Sequence, residues 1–169
     1  MGLIEGQRQR DKGLKDKRPN LCWEDRTTVM IHTLLYVSQS TLRQHEQAAE
    51  VEKIVQVARS RNQELDVTGA LIFTEARFAQ ILEGKKVAVD ELMASIEKDT
   101  RHRDVRVVLT EQLPARRFPD WAMAYQGAST YVDRHVKPLL QQDMSESQRD
   151  QKARQLVRLM TELNPNRSA

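Results

Sequence analysis

The chain has little of what disulfide-built, membrane or catalytic proteins require. It holds one cysteine, Cys22, which excludes an intramolecular disulfide and makes a reducing, cytoplasmic compartment the expectation. Aromatic residues are only 5%, so the core must be aliphatic and each aromatic placed for a reason. No apolar run approaches the roughly 20 residues of a membrane span and no signal-peptide pattern is present, so no membrane partner is expected. His45 and His102 have no cysteine or carboxylate at metal-ligand spacing, and a metal site is not expected. There is no Gly-rich phosphate loop, and neither Ser38 nor Ser40 has a histidine partner readable from the sequence. These absences argue against an enzyme.

The net charge of +3 is local. Residues 1–20 carry Arg8, Arg10, Lys12, Lys15, Lys17 and Arg18 against Glu5, Asp11 and Asp16, and the rest of the chain is balanced. A nucleic-acid module should carry a basic excess on its folded part, so no nucleic-acid partner is expected. Residues 1–29 lack apolar periodicity and read as a disordered extension. Met30 stands directly before the first strand-like run, and a natural start at Met30 is an equally simple reading.

From there the pattern alternates. Ile31–Val37 is β-rich, and a helix follows with Val51, Ile54, Val55 and Ala58 at i, i+3, i+4, i+7, ending near Asn62. Two strand-like runs, Thr68–Thr74 and Phe78–Glu83, are joined through Glu75-Ala76-Arg77 as a hairpin. A second helix carries Val89, Leu92, Met93 and Ile96, again at i, i+3, i+4, i+7. Further strands are expected over Asp104–Leu113 and Phe118–Tyr125. The order β-α-β-β-α-β-β predicts an α+β, ferredoxin-like sandwich with a mixed five-stranded sheet and both helices on one face. Period-two alternation puts Tyr36, Gln80 and either Trp121 or Met123 on that face, and Leu35, Val37 and Ile81 on the other. A C-terminal helical extension, residues 127–169, is expected to cover the second face. Its last helix opens on the capping box Ser145-Glu146-Ser147-Gln148 and presents Ala153, Leu156, Val157, Met160 and Leu163. A shorter helix around Val132–Leu140 precedes it, bent or ended by Pro138.

Three uncharged polar side chains stand at interior-looking positions: Tyr36, Asn62 and Gln80. A buried polar group without a partner costs a few kcal/mol, so three together point to a neutral, multi-acceptor ligand. Taken singly, Gln80 reads as a satisfied core glutamine, Asn62 as a helix C-cap, and Trp121 and Met123 as core filling. The cluster Asp99-Thr100-Arg101-His102-Arg103 complements a helix C-terminus, or its arginines hold a ligand phosphate.

Residues 30–126 resemble the BLUF domain, the blue-light sensor using flavin. The resemblance is carried by Leu34-Leu35-Tyr36-Val37-Ser38, Ala58-Arg59-Ser60-Arg61-Asn62, Val67-Thr68-Gly69-Ala70-Leu71, Phe78-Ala79-Gln80-Ile81-Leu82-Glu83-Gly84, Asp99-Thr100-Arg101-His102, Arg116-Arg117-Phe118 and Trp121-Ala122-Met123, in order. It implies a flavin, FAD with FMN as the alternative, held non-covalently between the two helices. It further implies Tyr36 and Gln80 as the photoactive pair, with Trp121 and Met123 on the switching strand and Asn62 at the carbonyl side of the ring. Ile54 and Ile96 match the residues that sandwich the ring; Asp99, Arg101 and His102 match the ribityl-phosphate end. A glutamine amide is both donor and acceptor, so its reversal or tautomerisation rewires the bonds to the ring and to tyrosine. Three departures stand out: Arg61 where a second Asn or a His is usual, Asp66 where Gly is usual, and a longer loop after Ser38. The implied function is a photoreceptor whose signal passes to an unidentified protein partner or through a homo-oligomer, since no cyclase, phosphodiesterase or DNA-binding domain is appended. The rival reading is a light-insensitive ferredoxin-like interaction domain.

Overall fold

The computed structural model describes residues 30–120, 123–126 and 130–163. The expected extension at 1–29, Cys22 and Trp121 lie outside the described residues. The chain runs β1 (Ile31–Ser40), α1 (Gln47–Glu64), β2 (Thr68–Phe73), β3 (Arg77–Gly84), α2 (Lys86–Glu97), β4 (His102–Leu113), β5 (Ala124–Gln126), α3 (Thr130–Val136), a 3-10 turn (Lys137–Leu140) and α4 (Glu146–Glu162). Strand order is β4-β1-β3-β2-β5. The four long strands pair antiparallel, and the short β5 lies parallel to β2.

The α+β class and the interleaving of two helices with four strands are as the pattern predicts. The boundaries are not all so. The strand expected over Phe118–Tyr125 is only Ala124–Gln126 among the described residues. Phe118 is buried, but its amide is bonded by the Glu83 carboxylate at 3.0 Å rather than by a neighbouring strand. α1 runs two residues past Asn62, which is therefore inside the last turn and not a cap. Pro138 falls in the 3-10 turn that follows α3, and the Ser145–Gln148 capping box forms in both directions.

Alternation along the strands builds two cores. Leu34, Tyr36, Phe78 and Leu82 face α1 and α2, packing with Val51, Val55, Val89, Leu92 and Met93. Leu35, Val37, Ala79 and Ile81 face the C-terminal helices and meet Val132, Val136, Leu139, Ala153, Leu156, Val157 and Met160. Register ties the faces together, with Tyr36 directly opposite Gln80 on β3. Gly69 is required by close approach: a Cβ there would sit 1.9 Å from the Ile81 carbonyl oxygen across the β2–β3 pair.

Asp66, in the position where the family resemblance leads one to expect Gly, adopts φ 51°. Asp is among the few residues that visit this left-handed region readily. Its carboxylate is held by Arg116 at 3.0 Å, and Arg116 also reaches the Asp66 carbonyl at 2.7 Å.

Glu83 is the unusual member of the C-terminal face. Fully buried, it accepts from the Arg117 and Phe118 amides at 2.7 and 3.0 Å, with Thr33 Oγ1 and the Arg117 guanidinium alongside. Burial pushes its carboxyl above the usual range, against the pull of those bonds. One carboxylate thus anchors the loop that leads from β4 towards β5. Removing it leaves the Arg117 and Phe118 amides without their acceptor and takes a buried countercharge from beside the Arg117 guanidinium. Glu83→Ala is expected to cost about 3 kcal/mol or more in urea-unfolding free energy; a loss below about 1 kcal/mol would show that the loop does not depend on this anchor.

Candidate functional site

One pocket opens between the two helices and the sheet. Its α1 wall is Ile54, Val57, Ala58, Arg61 and Asn62, at i, i+3, i+4, i+7, i+8, a single helical face. α2 supplies Leu92, Ser95 and Ile96, followed by Asp99. The sheet supplies Tyr36, Gln80 and Leu82, and the start of β4 adds Arg101 and His102. Tyr36, Ile54, Asn62, Gln80, Ile96, Asp99, Arg101 and His102, separate in the sequence, all line this one space. Arg103 is not among the lining residues; it turns to Gln39 at 2.6 Å.

The inner end is neutral and hydrogen-bonded. Tyr36 donates its phenolic proton to Gln80 Oε1 at 2.5 Å, and Gln80 Nε2 donates to Met123 Sδ at 3.5 Å. Tyr36, Gln80, Asn62 and Met123 are all buried. Burial, with the Asp99 charge adding, pushes the Tyr36 phenol well above its ordinary value, so it stays protonated. Of Trp121 and Met123, Met123 lies here and Trp121 is outside the described residues.

Sequence reasoning missed two contacts of this end. Ser38, two residues beyond Tyr36 on β1 and wholly buried, pairs with His102 Nδ1 at 2.9 Å. The period of two along β1 carried that signal; the partner, far along the chain, did not show. The His102 ring also lies 4.3 Å from the Phe78 ring and edge-on to Tyr36. Burial holds its imidazole down to about 4, so it is neutral at physiological pH. The second contact is Arg59 Nε donating to the Met123 carbonyl at 3.2 Å.

The mouth is ionic but internally paired. Arg101 grips Asp99 through two nitrogens, at 2.9 and 2.6 Å, and has Glu50 of α1 at 3.8 Å. Burial works against ionisation of Asp99, but the bonds from Arg101 outweigh it and hold the carboxyl below its ordinary value. Arg61, where a second Asn or a His is usual, spans to Glu91 of α2 at 2.5 Å and so ties the two helices. Among the described residues no group of His, Cys, Asp and Glu could hold a metal ion, and no helix is long and apolar enough to cross a membrane.

A neutral, aliphatic-walled slot over an antiparallel sheet, with a tyrosine–glutamine pair at its inner end, defines a domain that binds a flat, multi-acceptor ligand. The profile of the family described as "Sensors of blue-light using FAD", BLUF, matches residues 31–124, more than half of the chain, and the chain belongs to that family. That family is described as sensing blue light with FAD, so the chain carries a flavin-binding domain of the blue-light-sensor type. The chain is 38% identical over 89 residues to the blue light- and temperature-regulated antirepressor BluF of Escherichia coli, covering 53% of this chain and 22% of that one. It is 33% identical over 127 residues to the photoactivated adenylate cyclase subunit beta of Euglena gracilis, covering 70% of this chain and 14% of that one. It therefore spans less than a quarter of either relative. Among solved structures it is similar to the dark state of BlrB, a BLUF protein, with TM-score 0.60 and 29% identity over 76% of this chain and 95% of that one.

His102 gives the site a pH signature. Its folded-state pKa of about 4 lies below the ordinary 6.5, so the unfolded chain binds a proton that the folded chain refuses. Stability is full above about pH 6.5 and falls as pH drops towards 4. His32 and His135 shift in the same direction, so His102→Gln should make the decline in melting temperature between pH 6.5 and 4.5 shallower without abolishing it. An unchanged slope would mean the His102 imidazole is not shielded as described.

Proposed function

We propose that the pocket holds the flavin ring between Ile54 and Ile96, with Asn62 at its carbonyl edge and Asp99, Arg101 and His102 beside the ribityl-phosphate end. The fit rests on the donor set: neutral hydrogen-bonding groups at the inner end, aliphatic walls, and no unpaired charge facing the ring region. FMN would meet the same inner groups, and nothing in the lining separates it from FAD at that end. The observation that carries the reading is the buried bond from Tyr36 to Gln80.

A bound flavin would supply the blue-light absorption and, in its excited state, an electron acceptor. Tyr36 would be the electron donor within the pocket, and because burial keeps its phenol protonated it holds a proton to give along with the electron. Gln80 sits between Tyr36 and Met123 with its oxygen towards the first and its nitrogen towards the second. If the amide reverses, its oxygen turns to the Met123 sulfur, and a thioether can only accept. The Gln80–Met123 contact is then lost, and the change is written into the strand that carries Met123. Trp121, two residues earlier, belongs to the same segment in this reading.

Signal output then passes through the second face of the sheet. Residues 30–126 form the sensor unit and residues 127–169 its helical cover. Arg77, three residues before Gln80 on β3, holds both oxygens of Asp133 on α3 at 2.8 Å, with Thr74 bonded to the same carboxylate at 2.7 Å. This adjacency supports transmission from β3 to the C-terminal helices and on to a partner protein or a second copy of the chain. The short β5, added to the β2 edge, would move with the Met123 segment as the fifth strand of the sheet.

Tyr36→Phe and Gln80→Leu each remove one member of the pair while leaving the aliphatic walls. Both variants should remain yellow and lose the reversible red shift of flavin absorption that blue light produces in the parent. A normal red shift in both would remove the pair from the mechanism and favour another donor.

A further inference from the structure

Met123 does not reach Gln80 by packing alone. Its backbone precedes β5, whose register with β2 begins only at Ala124 opposite Ala70. The Met123 carbonyl itself is taken by the Arg59 guanidinium at 3.2 Å. Arg59 belongs to α1, between Ala58 and Asn62 and one turn beyond Val55, and so sits on the helix that forms one wall of the pocket. A hydrogen bond from a charged donor is stronger than one between neutral groups. The bond is made to the main chain, so it fixes where residue 123 lies independently of its side chain.

We infer that Arg59 is a positioning residue for the photochemical switch: it tethers the Met123 main chain to α1 and so holds the Met123 sulfur within reach of the Gln80 amide. This rests on the reading of Tyr36, Gln80 and Met123 given above. The chain of contacts runs from Arg59 to the Met123 carbonyl, from the Met123 sulfur to Gln80 Nε2, and from Gln80 Oε1 to the Tyr36 hydroxyl. Each link is a different hydrogen bond, and only the first comes from an exposed side chain. Arg59 can therefore be changed without emptying the pocket, whose lining does not include it. Its effect should fall on the return of Met123 to Gln80 after light, not on binding of the ring.

The test uses the full flavin-loaded chain and follows thermal recovery of the red-shifted state in the dark. Arg59→Met keeps the aliphatic stem and removes the donors; Arg59→Ala removes both; Arg59→Lys keeps a cation able to reach a carbonyl. Without the tether, Met123 regains its dark position less readily. Recovery in the Met and Ala variants should be about threefold to tenfold slower, which converts to roughly 0.7–1.4 kcal/mol, while Lys recovers within about twofold of the parent. Flavin content and melting temperature should stay near parental values in all three. Recovery that is unchanged or faster in both Arg59→Met and Arg59→Ala overturns the inference, as does a uniform fall in melting temperature with recovery unaltered. Tyr36→Phe measured alongside separates the two levels. If it keeps the red shift, the photoactive pair is wrong; if it loses the red shift while Arg59 variants recover normally, only the tether is wrong.

Discussion

The hydrogen bond from the Tyr36 hydroxyl to Gln80 Oε1, 2.5 Å long and buried at the inner end of the pocket, constrains everything around it. A phenol and an amide buried together satisfy each other at the expense of orientation, because the amide presents an acceptor on one side and donors on the other. Pointing its oxygen at Tyr36 commits its nitrogen to Met123. In the proposed mechanism that commitment makes the neutral pair a two-state element: the same atoms would be satisfied in another order, at the cost of the contact with sulfur. Charges in this place would have fixed one order. The ionic groups of the pocket are accordingly kept at its mouth and paired there, Arg101 with Asp99 and Glu50, Arg61 with Glu91.

The antiparallel register supplies the geometry. Tyr36 and Gln80 are direct neighbours across β1 and β3, so their meeting follows from the pairing that also builds the core. The alternate residues of the same strands, Leu35, Val37, Ala79 and Ile81, are buried under α3 and α4. A single layer of backbone separates the Tyr36–Gln80 pair from the C-terminal helices. Glu83 and Arg77 lie at opposite ends of β3 and secure its two neighbours, the loop before β5 and the α3 helix. β3 is thus held at both ends, with Gln80 between.

Much of this was legible in the residues, and the failures have physical reasons. The helical stripes Val51–Ala58 and Val89–Ile96 and the strand alternation gave the element order, because each reflects burial on one face. The pocket lining was legible through the motifs of the BLUF resemblance, since those residues recur at fixed places on elements that could be drawn. The last strand was misread because Phe118 looked like the start of a β-rich run; it is buried as an anchor held by Glu83, and period two cannot distinguish the two fates. The first helix was expected to end near Asn62, yet α1 continues to Glu64. The Ser38–His102 pair and the Arg59–Met123 bond join residues 64 positions apart, and each depends on where the finished sheet sets the backbone. Arg61 was visible as a departure, but its bond to Glu91 across the helices was not.

In the proposed mechanism light changes the hydrogen bonds Gln80 makes to the flavin edge without displacing the ring. The most direct measurement is the light-minus-dark infrared difference spectrum of the flavin carbonyls in the intact chain, compared with Gln80→Leu. A new or stronger hydrogen bond lowers a carbonyl stretching frequency, so a reversible downshift of a ring carbonyl is expected in the parent and its absence in Gln80→Leu. A downshift that persists in Gln80→Leu, or a parent that shows none while its absorption still shifts to the red, would contradict it.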